Sequence, residues 1–355
     1  MSNLNDAVFP MGKAVQKAVD AAKLAATSTT VGMTWPLPII NANVRPLGQG
    51  ETCVISALSG HTKTMSLLKI LDVYGSRLLE QETGIGVLVT LEDYIETHGA
   101  TRLSGVVGIS ADSILKGRLT EEEIHRLDLA RMEASTSPIW LIGNSMDEKI
   151  PRVPMTMKNI QQIVETIALT QTIRVVAIDY LTIIEGAGGY GANDRSSMAY
   201  QAAEWFIRTW KVPHSAPRIL VAQAGPHVAD KKYAIPGLQD CENIKMLGAW
   251  ANIFISLYRP YSQYPNSPIT NLMGLPEFTA TDDKAIMYFA KVKKAKAQLA
   301  FPLTWNYNDN TVALDMKLFQ ESPLKNTVGE LQWVRGSLLE SQKQLSVQQM
   351  LTLAV

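Results

Sequence analysis

Apolar residues along the chain form short continuous runs that alternate with stretches of helical periodicity. The runs are typical of strands buried on both faces, and they occupy 52–57, 86–91, 139–142, 174–180, 218–223, 253–258 and 285–292. Apolar spacing of three and four residues predicts helices over 63–79, much of 93–134, 156–170 and 196–210. This alternation predicts an α/β domain with a mostly parallel central sheet flanked by helices.

The pattern is weaker at the two ends of the chain. Residues 6–27 carry small apolar side chains at helical spacing, and a polar stretch follows them. Such a helix packs either on its own domain or on a neighbouring subunit, and the residues alone leave both possibilities open. We therefore expect an N-terminal helix with its connection (1–33), a main domain (34–320) and a C-terminal, helix-like tail (321–355).

Composition places the chain among folded globular proteins. Hydrophobic residues make up 46% of its 355 residues and charged residues 19%, which is the opposite of the bias found in disordered chains. Lys and Arg number 33 and Asp and Glu also 33, so the net charge is zero. This balance argues against a protein coated in positive charge, but it leaves room for a local basic loop.

Cysteine content and hydropathy narrow the class further. The only cysteines are Cys53 and Cys241, so the sequence has no disulfide framework and no cysteine zinc site. We see no secretory leader and no uninterrupted apolar stretch of about 18 residues. We expect a cytoplasmic protein that does not engage a membrane.

A candidate phosphate-binding loop lies between the first strand and the helix that follows it. The segment ALSGHTKT (57–64) stands where the pattern G-x-x-x-x-G-K-[ST] would lie. Backbone N–H groups of Ser59, Gly60, His61 and Thr62 would face phosphates, Lys63 would neutralise their charge, and the Thr64 hydroxyl would bind Mg²⁺. Both glycines of the pattern are replaced, by Ala57 and Thr62. Distorted or weakened nucleotide binding therefore stays open.

Three further polar residues follow buried strands. Glu92, Asp179 and Gln223 each end or follow one of the apolar runs. Singly, they could be a solvated loop carboxylate, a capping aspartate and a surface amide. Together with the phosphate loop they place polar groups at the C-terminal ends of four strands, where open α/β sheets bind ligands. We therefore predict a nucleotide site that uses ATP and Mg²⁺.

These segments, in this order, resemble the RecA-type motor domain of DnaB-like replicative helicases. The resemblance covers most of the chain, from about residue 37 to residue 314. The segments that carry it are LGQGETCVISALSGHTKT, VLVTLE, VVAIDYL, ILVAQ, PGLQDCENI and AKVKKAKAQLAFPLTW. It implies a RecA-like P-loop NTPase core and an ATP-driven, ring-shaped helicase or translocase on single-stranded DNA, hexameric and moving 5′ to 3′.

The resemblance also implies a role for each matching residue. Lys63 would contact phosphates, Thr64 would contact Mg²⁺, and Asp179 would support the metal, partly through water. Glu92 would activate water, and Gln223 would couple the γ-phosphate to the DNA loops. Lys291 and Lys293 fall at the positions of a basic pair that reaches into the neighbouring subunit's site. The second member is usually arginine in the family, and a lysine there offers a point charge instead of a planar fork. The alternative for this pair is a solvated, charged strand face.

The DNA contacts implied by the resemblance lie after the Gln223 strand. The candidates are Lys231, Lys232, Gln239, Asn243 and Lys245. The family's usual Asn-Arg after the glutamine is missing, because residues 224–227 are Ala-Gly-Pro-His. This departure puts the coupling of hydrolysis to DNA in question, although backbone N–H groups repeated around a ring could replace the missing side chains.

Residues 1–33 are too short for the N-terminal helical domain through which bacterial replicative helicases meet primase. They fit the linker helix that docks on an adjacent motor domain, so the chain resembles a phage or mobile-element helicase, with a primase or a loader as possible partners. Two other functions remain open. One is a RecA-type recombination or filament ATPase, and the other is a nucleotide-binding assembly protein whose phosphate loop has decayed.

Overall fold

The computed structural model describes residues 32–81, 83–180, 195–306 and 311–320, together with the isolated residues 11, 15, 16 and 19. Most of the N-terminal helix expected over 6–27 lies outside the described residues. The glycine-rich stretch 186–191 and the tail 321–355 lie outside them entirely.

The described residues form eleven strands, nine of them in one sheet. The strands are β1 (Thr52–Ala57), β2 (Ile85–Thr90), β3 (Ile139–Ile142), β4 (Ile173–Asp179), β5 (Arg218–Gln223), β6 (Ile253–Tyr258), β7 (Pro268–Ile269), β8 (Phe278–Thr279), β9 (Lys284–Val292), β10 (Leu299–Asn306) and β11 (Thr311–Leu314). The order in the large sheet is β11-β10-β9-β6-β1-β5-β4-β2-β3, and β7 pairs with β8 in a separate ribbon. The sheet therefore brings together strands that are far apart in sequence.

The helices of the described residues are mostly those that the apolar spacing predicts. They are α1 (Pro38–Asn43), α2 (Lys63–Gln81), α3 (Ile95–Val107), α4 (Ala111–Leu115), α5 (Glu121–Ala134), α6 (Met157–Ile167), α7 (Arg195–Glu204), α8 (Leu247–Trp250) and α9 (Met316–Gln320). The stretch predicted as largely helical over 93–134 is divided into α3, α4 and α5. The helix expected over 196–210 changes at residue 205 to a π-helical turn, Trp205–Thr209. No described helix combines the length and apolar character needed to cross a membrane.

The sheet is parallel on one side and antiparallel on the other. Strands β6, β1, β5, β4, β2 and β3 run parallel, whereas β9, β10 and β11 pair antiparallel beside β6. The alternation of strands and helices predicts only the parallel part, because a parallel crossover needs a helix and an antiparallel neighbour needs only a turn. Pro302 also lies in the middle of β10, where proline is a signal against a central strand.

Helices cover both faces of the parallel strands. Because side chains alternate along a strand, Ile55 of β1 joins a core with Leu67 and Leu71 of α2, while Val54 joins a second core with Val164 of α6. All residues of β1 and β2 are buried. With both faces covered, the C-terminal edge of the parallel strands is where polar groups can meet solvent.

Candidate nucleotide site

Four neighbouring strands end at one edge of the sheet, and the predicted site residues follow them. Ala57, the last residue of β1, pairs with Gln223 of β5, and Thr90 of β2 pairs with Asp179 of β4. The Leu91 N–H donates to the Asp179 carbonyl oxygen at 2.8 Å, which joins the start of the Glu92 turn to β4. The structure therefore brings the phosphate-loop strand and the three other polar positions to one edge.

The loop between β1 and α2 turns sharply before the helix begins. Gly60 and Thr62 both have left-handed backbone conformations, with φ of 76° and 63°. A left-handed conformation costs a residue with a Cβ about 1–2 kcal/mol, so Thr62 is strained where the phosphate-loop pattern has glycine. A Cβ added at Gly60 would meet no atom within 4 Å, so the loop presents open space there. Ser59 and Gly60 are exposed, as a cradle for phosphates requires.

Lys63 begins α2 with its ammonium turned back into the loop. The Lys63 Nζ donates a hydrogen bond to the Leu58 carbonyl oxygen at 2.9 Å. Burial lowers the pKa of Lys63, and the carboxylates of Asp179, Glu92 and Glu242 oppose that effect. The ammonium thus interacts electrostatically with three carboxylates at this edge. A bound anion would compete with the Leu58 carbonyl for the same positive charge.

The Asp179 carboxylate is the most deeply buried acid of the site. Only 3% of the residue is exposed, its Oδ1 has no hydrogen-bond partner, and the Thr64 side chain hydrogen-bonds to the carboxylate. Burial raises the pKa of Asp179 to about 6, against the lowering effect of the Thr64 hydrogen bond. A hydroxyl beside a carboxylate with a free buried oxygen is an all-oxygen donor set, which fits Mg²⁺.

Glu92 lies in the exposed turn after β2. The turn is braced because the Thr90 hydroxyl donates to the Asp93 carbonyl oxygen at 2.7 Å, while His98 Nε2 lies 2.7 Å from the same hydroxyl oxygen. Partial burial raises the pKa of Glu92, and the neighbouring Asp93 adds to the shift. A carboxylate with a raised pKa is a better proton acceptor than an ordinary one.

One residue of the site, Glu242, and one contact of a predicted residue, His61, do not follow from the sequence. Glu242 interacts with the Lys63 charge although it lies 179 positions further along the chain, and its N–H donates to the Gln223 carbonyl oxygen at 2.8 Å. His61 is 4% exposed, and its Nδ1 accepts the Arg259 N–H at 3.3 Å. No local motif points to either contact. Only the pairing of distant segments at the sheet edge creates them.

Comparison with known proteins was informative only at the level of structure. No protein-family model matches the sequence, and no curated protein matches it. A DnaB-like replicative helicase, described with its interactions with primase, superposes with a TM-score of 0.65 at 16% identity, over 88% of this chain and 67% of that chain. The ATPase domain of a phage helicase superposes with a TM-score of 0.64 at 17% identity, over 84% of this chain and 98% of that domain.

This chain has the fold of a DnaB-like, RecA-type motor domain. The fold expected from the sequence is therefore confirmed. The parallel part of the sheet carries the candidate nucleotide site, and the two lysines of the predicted basic pair lie at the end of the antiparallel strand β9.

The two lysines of that pair have different environments. The Lys291 Nζ donates to the carbonyl oxygens of Gly248 and Ala249, at 2.8 and 2.9 Å, at the end of α8. Lys293 is exposed, and its backbone is fixed because its N–H donates to Asn252 and its carbonyl oxygen accepts from Arg45. Of the two side chains, Lys291 is thus held by its own chain, and Lys293 is directed to the surface.

The candidate DNA contacts lie in residues 224–246, here named the post-sensor loop. All five are exposed; they are Lys231, Lys232, Gln239, Asn243 and Lys245. The Lys231 ammonium contacts the Asp240 carboxylate, and Lys232 lies over the Tyr233 ring at 5.3 Å. The structure thus places these residues on one loop that starts at the end of β5, directly after Gln223.

Proposed function

We propose that this chain is the motor of an ATP-driven, ring-shaped helicase or translocase that acts on single-stranded DNA. The observation that carries the proposal is the meeting of Lys63, Thr64 and Asp179 at the C-terminal edge of a RecA-type sheet, with Glu92 beside them. A decayed nucleotide site would not need to retain both a buried magnesium-type carboxylate and a second acid at the end of the neighbouring strand.

The chain's own residues divide the work of hydrolysis. Mg²⁺, when bound with ATP, supplies positive charge to the phosphate oxygens. The Thr64 hydroxyl and the Asp179 carboxylate would hold the cation, and the Lys63 ammonium, released from the Leu58 carbonyl, would bind phosphate oxygens. Glu92 accepts a proton from the attacking water, and the Gln223 carboxamide orients toward the γ-phosphate.

The ring completes the site from a second copy of the chain. Lys293 is the exposed member of the basic pair, and we propose that it neutralises phosphate charge in the neighbouring subunit's site, with Lys291 as its support at the end of α8. A hexamer, 5′-to-3′ movement, docking of residues 6–27 on an adjacent motor domain and a primase or loader partner follow from the resemblance to DnaB-like helicases. The post-sensor loop would face DNA in the channel.

Steady-state ATP hydrolysis, with Mg²⁺ and with or without single-stranded DNA, tests the proposal. We expect hydrolysis that rises with DNA in the native chain and disappears in Lys63→Ala. Lys158→Ala removes an exposed lysine of α6 and serves as the matched control, with native turnover expected. If nucleotide binds but is not hydrolysed, with or without DNA, the motor assignment is wrong.

One observation favours a second candidate function, a nucleotide-binding assembly protein. The strained Thr62 is that observation, because the loop keeps a Cβ where the phosphate-loop pattern has glycine. An assembly protein would use ATP as a structural ligand. It would oligomerise when ATP is added and would show the same state in the Glu92→Gln variant, with no turnover in either.

A further inference from the structure

The chain that leaves the sensor strand is tied back to a later segment of the post-sensor loop. Ala224 forms an antiparallel bridge with Cys241. The Gly225 N–H donates to the Asp240 carbonyl oxygen at 2.7 Å, and the Glu242 N–H donates to the Gln223 carbonyl oxygen at 2.8 Å. Residues 240–242 are therefore bound directly to the backbone of Gln223 and its two successors.

The Asp240 side chain gathers the rest of the loop around this junction. Its carboxylate accepts hydrogen bonds from His227 Nε2 at 2.9 Å, from the Gly237 N–H at 2.5 Å and from the Lys231 ammonium. The side chain is only 14% exposed although the loop lies at the surface. One carboxylate thus connects three separate positions of the loop to the end of β5.

Two glycines make room for this arrangement. A Cβ added at Gly225 would lie 2.7 Å from the His227 ring, and one added at Gly237 would lie 3.1 Å from Asp240 Oδ2. Any larger residue at Gly225 would displace His227 from the carboxylate. The glycines, the histidine and the aspartate therefore fit one another as a unit.

Asp240 stays ionised throughout the ordinary pH range. Partial burial alone raises the pKa of its carboxyl group, but the hydrogen bonds from Lys231, His227 and the Gly237 backbone outweigh burial and lower the pKa to about 2. The negative charge is thus a permanent feature of the loop. Hydrogen bonds to an ionised acceptor are about twice as strong as those between neutral groups.

We propose that Asp240 is the positioning residue that couples the nucleotide sensor Gln223 to the candidate DNA-binding lysines of the post-sensor loop. This inference rests on the proposed function. The Asn-Arg pair that usually follows this glutamine in DnaB-like helicases is missing here, and Asp240 would supply the coupling between hydrolysis and DNA in its place. A shift of Gln223 toward bound nucleotide moves the backbone of residues 240–242, and the Asp240 carboxylate carries that movement to Lys231 and to the turn at Gly237.

The test compares DNA affinity in two nucleotide states. A fluorescent oligo-dT is titrated with the full chain in Mg·ADP and in the slowly hydrolysed analogue ATPγS, and the ratio of the two Kd values reports the coupling between the sites. In the native chain we expect a ratio of at least about tenfold. In Asp240→Asn we expect the ratio to approach one, because the neutral amide holds Lys231 and His227 weakly. Asp230→Asn, an exposed aspartate of the same loop, should keep the native ratio.

If Asp240 did no more than support the loop or contact DNA, the ratio of the two Kd values would not change. Loss of one phosphate contact, as in Lys232→Met, should weaken binding by a similar factor in both nucleotide states and leave the ratio unchanged. Amide hydrogen exchange without ligands adds a readout that needs neither ATP nor DNA. The Gly237 N–H should exchange faster in Asp240→Asn than in Asp230→Asn.

The outcomes separate the two proposals. A native ratio above about tenfold that survives in Asp240→Asn overturns the role of Asp240 and leaves the motor function intact. A native chain that binds DNA equally in both nucleotide states, or not at all, overturns the motor function and the coupling together. If Asp240→Asn does not fold, Gly237→Ala crowds the same carboxylate, and a native ratio in that variant overturns the inference.

Discussion

Thr62 is the residue at which the sequence departs most visibly from a standard phosphate loop. Its φ of 63° is a conformation that glycine adopts freely and that a Cβ makes costly. We expect Thr62→Gly to be more stable than Thr62→Ala by about 1 kcal/mol, because alanine keeps the strain and loses only the hydroxyl. Urea denaturation measures the difference. Equal stabilities would show that the loop relaxes around any residue at this position.

Glu92 is the residue on which the proposed chemistry depends most directly. Glu92→Gln keeps the size of the side chain and removes its ability to accept a proton, so we expect kcat to fall by at least about 100-fold while ATP binding stays within a few-fold of native. Asp93→Asn removes the adjacent negative charge and should retain most turnover. Native turnover in Glu92→Gln would exclude it as the general base. Single-turnover kinetics and nucleotide titration provide both measurements.

His61 gives the stability of the protein a pH dependence of known sign. Burial lowers the pKa of this imidazole to about 4, helped by the charges of Lys63 and Arg259, whereas the unfolded chain has a pKa near 6.5. Between these two values the unfolded state binds more protons. Stability should therefore fall by about 3 kcal/mol as the pH drops from about 6.5 to 4.

The variant His61→Gln isolates that contribution. We expect it to lose part of the stability difference between about pH 7 and pH 4.5, because glutamine does not titrate. His125→Gln changes an exposed histidine of α5 and is the control. Thermal unfolding at the two pH values gives the comparison. A pH dependence in His61→Gln as steep as that of the control would assign the effect to other groups.

Two lysines near the end of β9, Lys291 in the strand and Lys293 just after it, have different environments. Lys291 binds the last carbonyl groups of α8, where a cation satisfies acceptors that the helix leaves unpaired, while Lys293 has an exposed side chain. We expect Lys291→Met to lower the free energy of unfolding by about 1–2 kcal/mol and Lys293→Met to leave it within about 0.5 kcal/mol of native. Chemical denaturation of the two variants measures both free energies of unfolding. Equal losses would contradict this division.

Elements with strong local patterns could be predicted from the sequence, and elements made by distant pairing could not. β1 and β5 are continuous apolar runs, and their bounds agree with the expected 52–57 and 218–223. β10 was not predicted as a separate strand, because its pairing with β9 needs only a turn and Pro302 argues against it. The packing expected for the N-terminal helix, 6–27, stays a prediction, because most of that helix lies outside the described residues.

The residues of the candidate site divide in the same way: those with a local pattern could be predicted, and those placed by distant pairing could not. Asp179 and Gln223 could be proposed because each stands at the end of a recognisable apolar run, and Lys63 because it lies in the phosphate-loop pattern after such a run. Glu242 could not, since its place beside Lys63 depends on a bridge between Ala224 and Cys241 that no local pattern encodes. Asp240 is similar: its role depends on three partners that the loop brings together. The sequence thus predicts residues that strands position, and the structure adds those that loop closure positions.

The proposal that a second copy of the chain completes the site can be tested with mixtures of two variants. Lys63→Ala damages the phosphate loop, and Lys293→Ala damages the residue proposed to act on the neighbouring subunit, so each variant alone should be inactive. In mixed rings, an interface formed by the intact loop of a Lys293→Ala subunit and the intact Lys293 of a Lys63→Ala subunit contains both functional halves. With random mixing at equal amounts, we expect about a quarter of the interfaces to be of this kind. ATP hydrolysis should therefore rise from the background of either variant to a maximum near equal mixing.

Lys158→Ala mixed with Lys63→Ala is the control and should follow simple dilution. If the Lys293→Ala mixture shows no activity at any ratio, while mass spectrometry confirms mixed rings, Lys293 acts within its own subunit and the shared site is excluded.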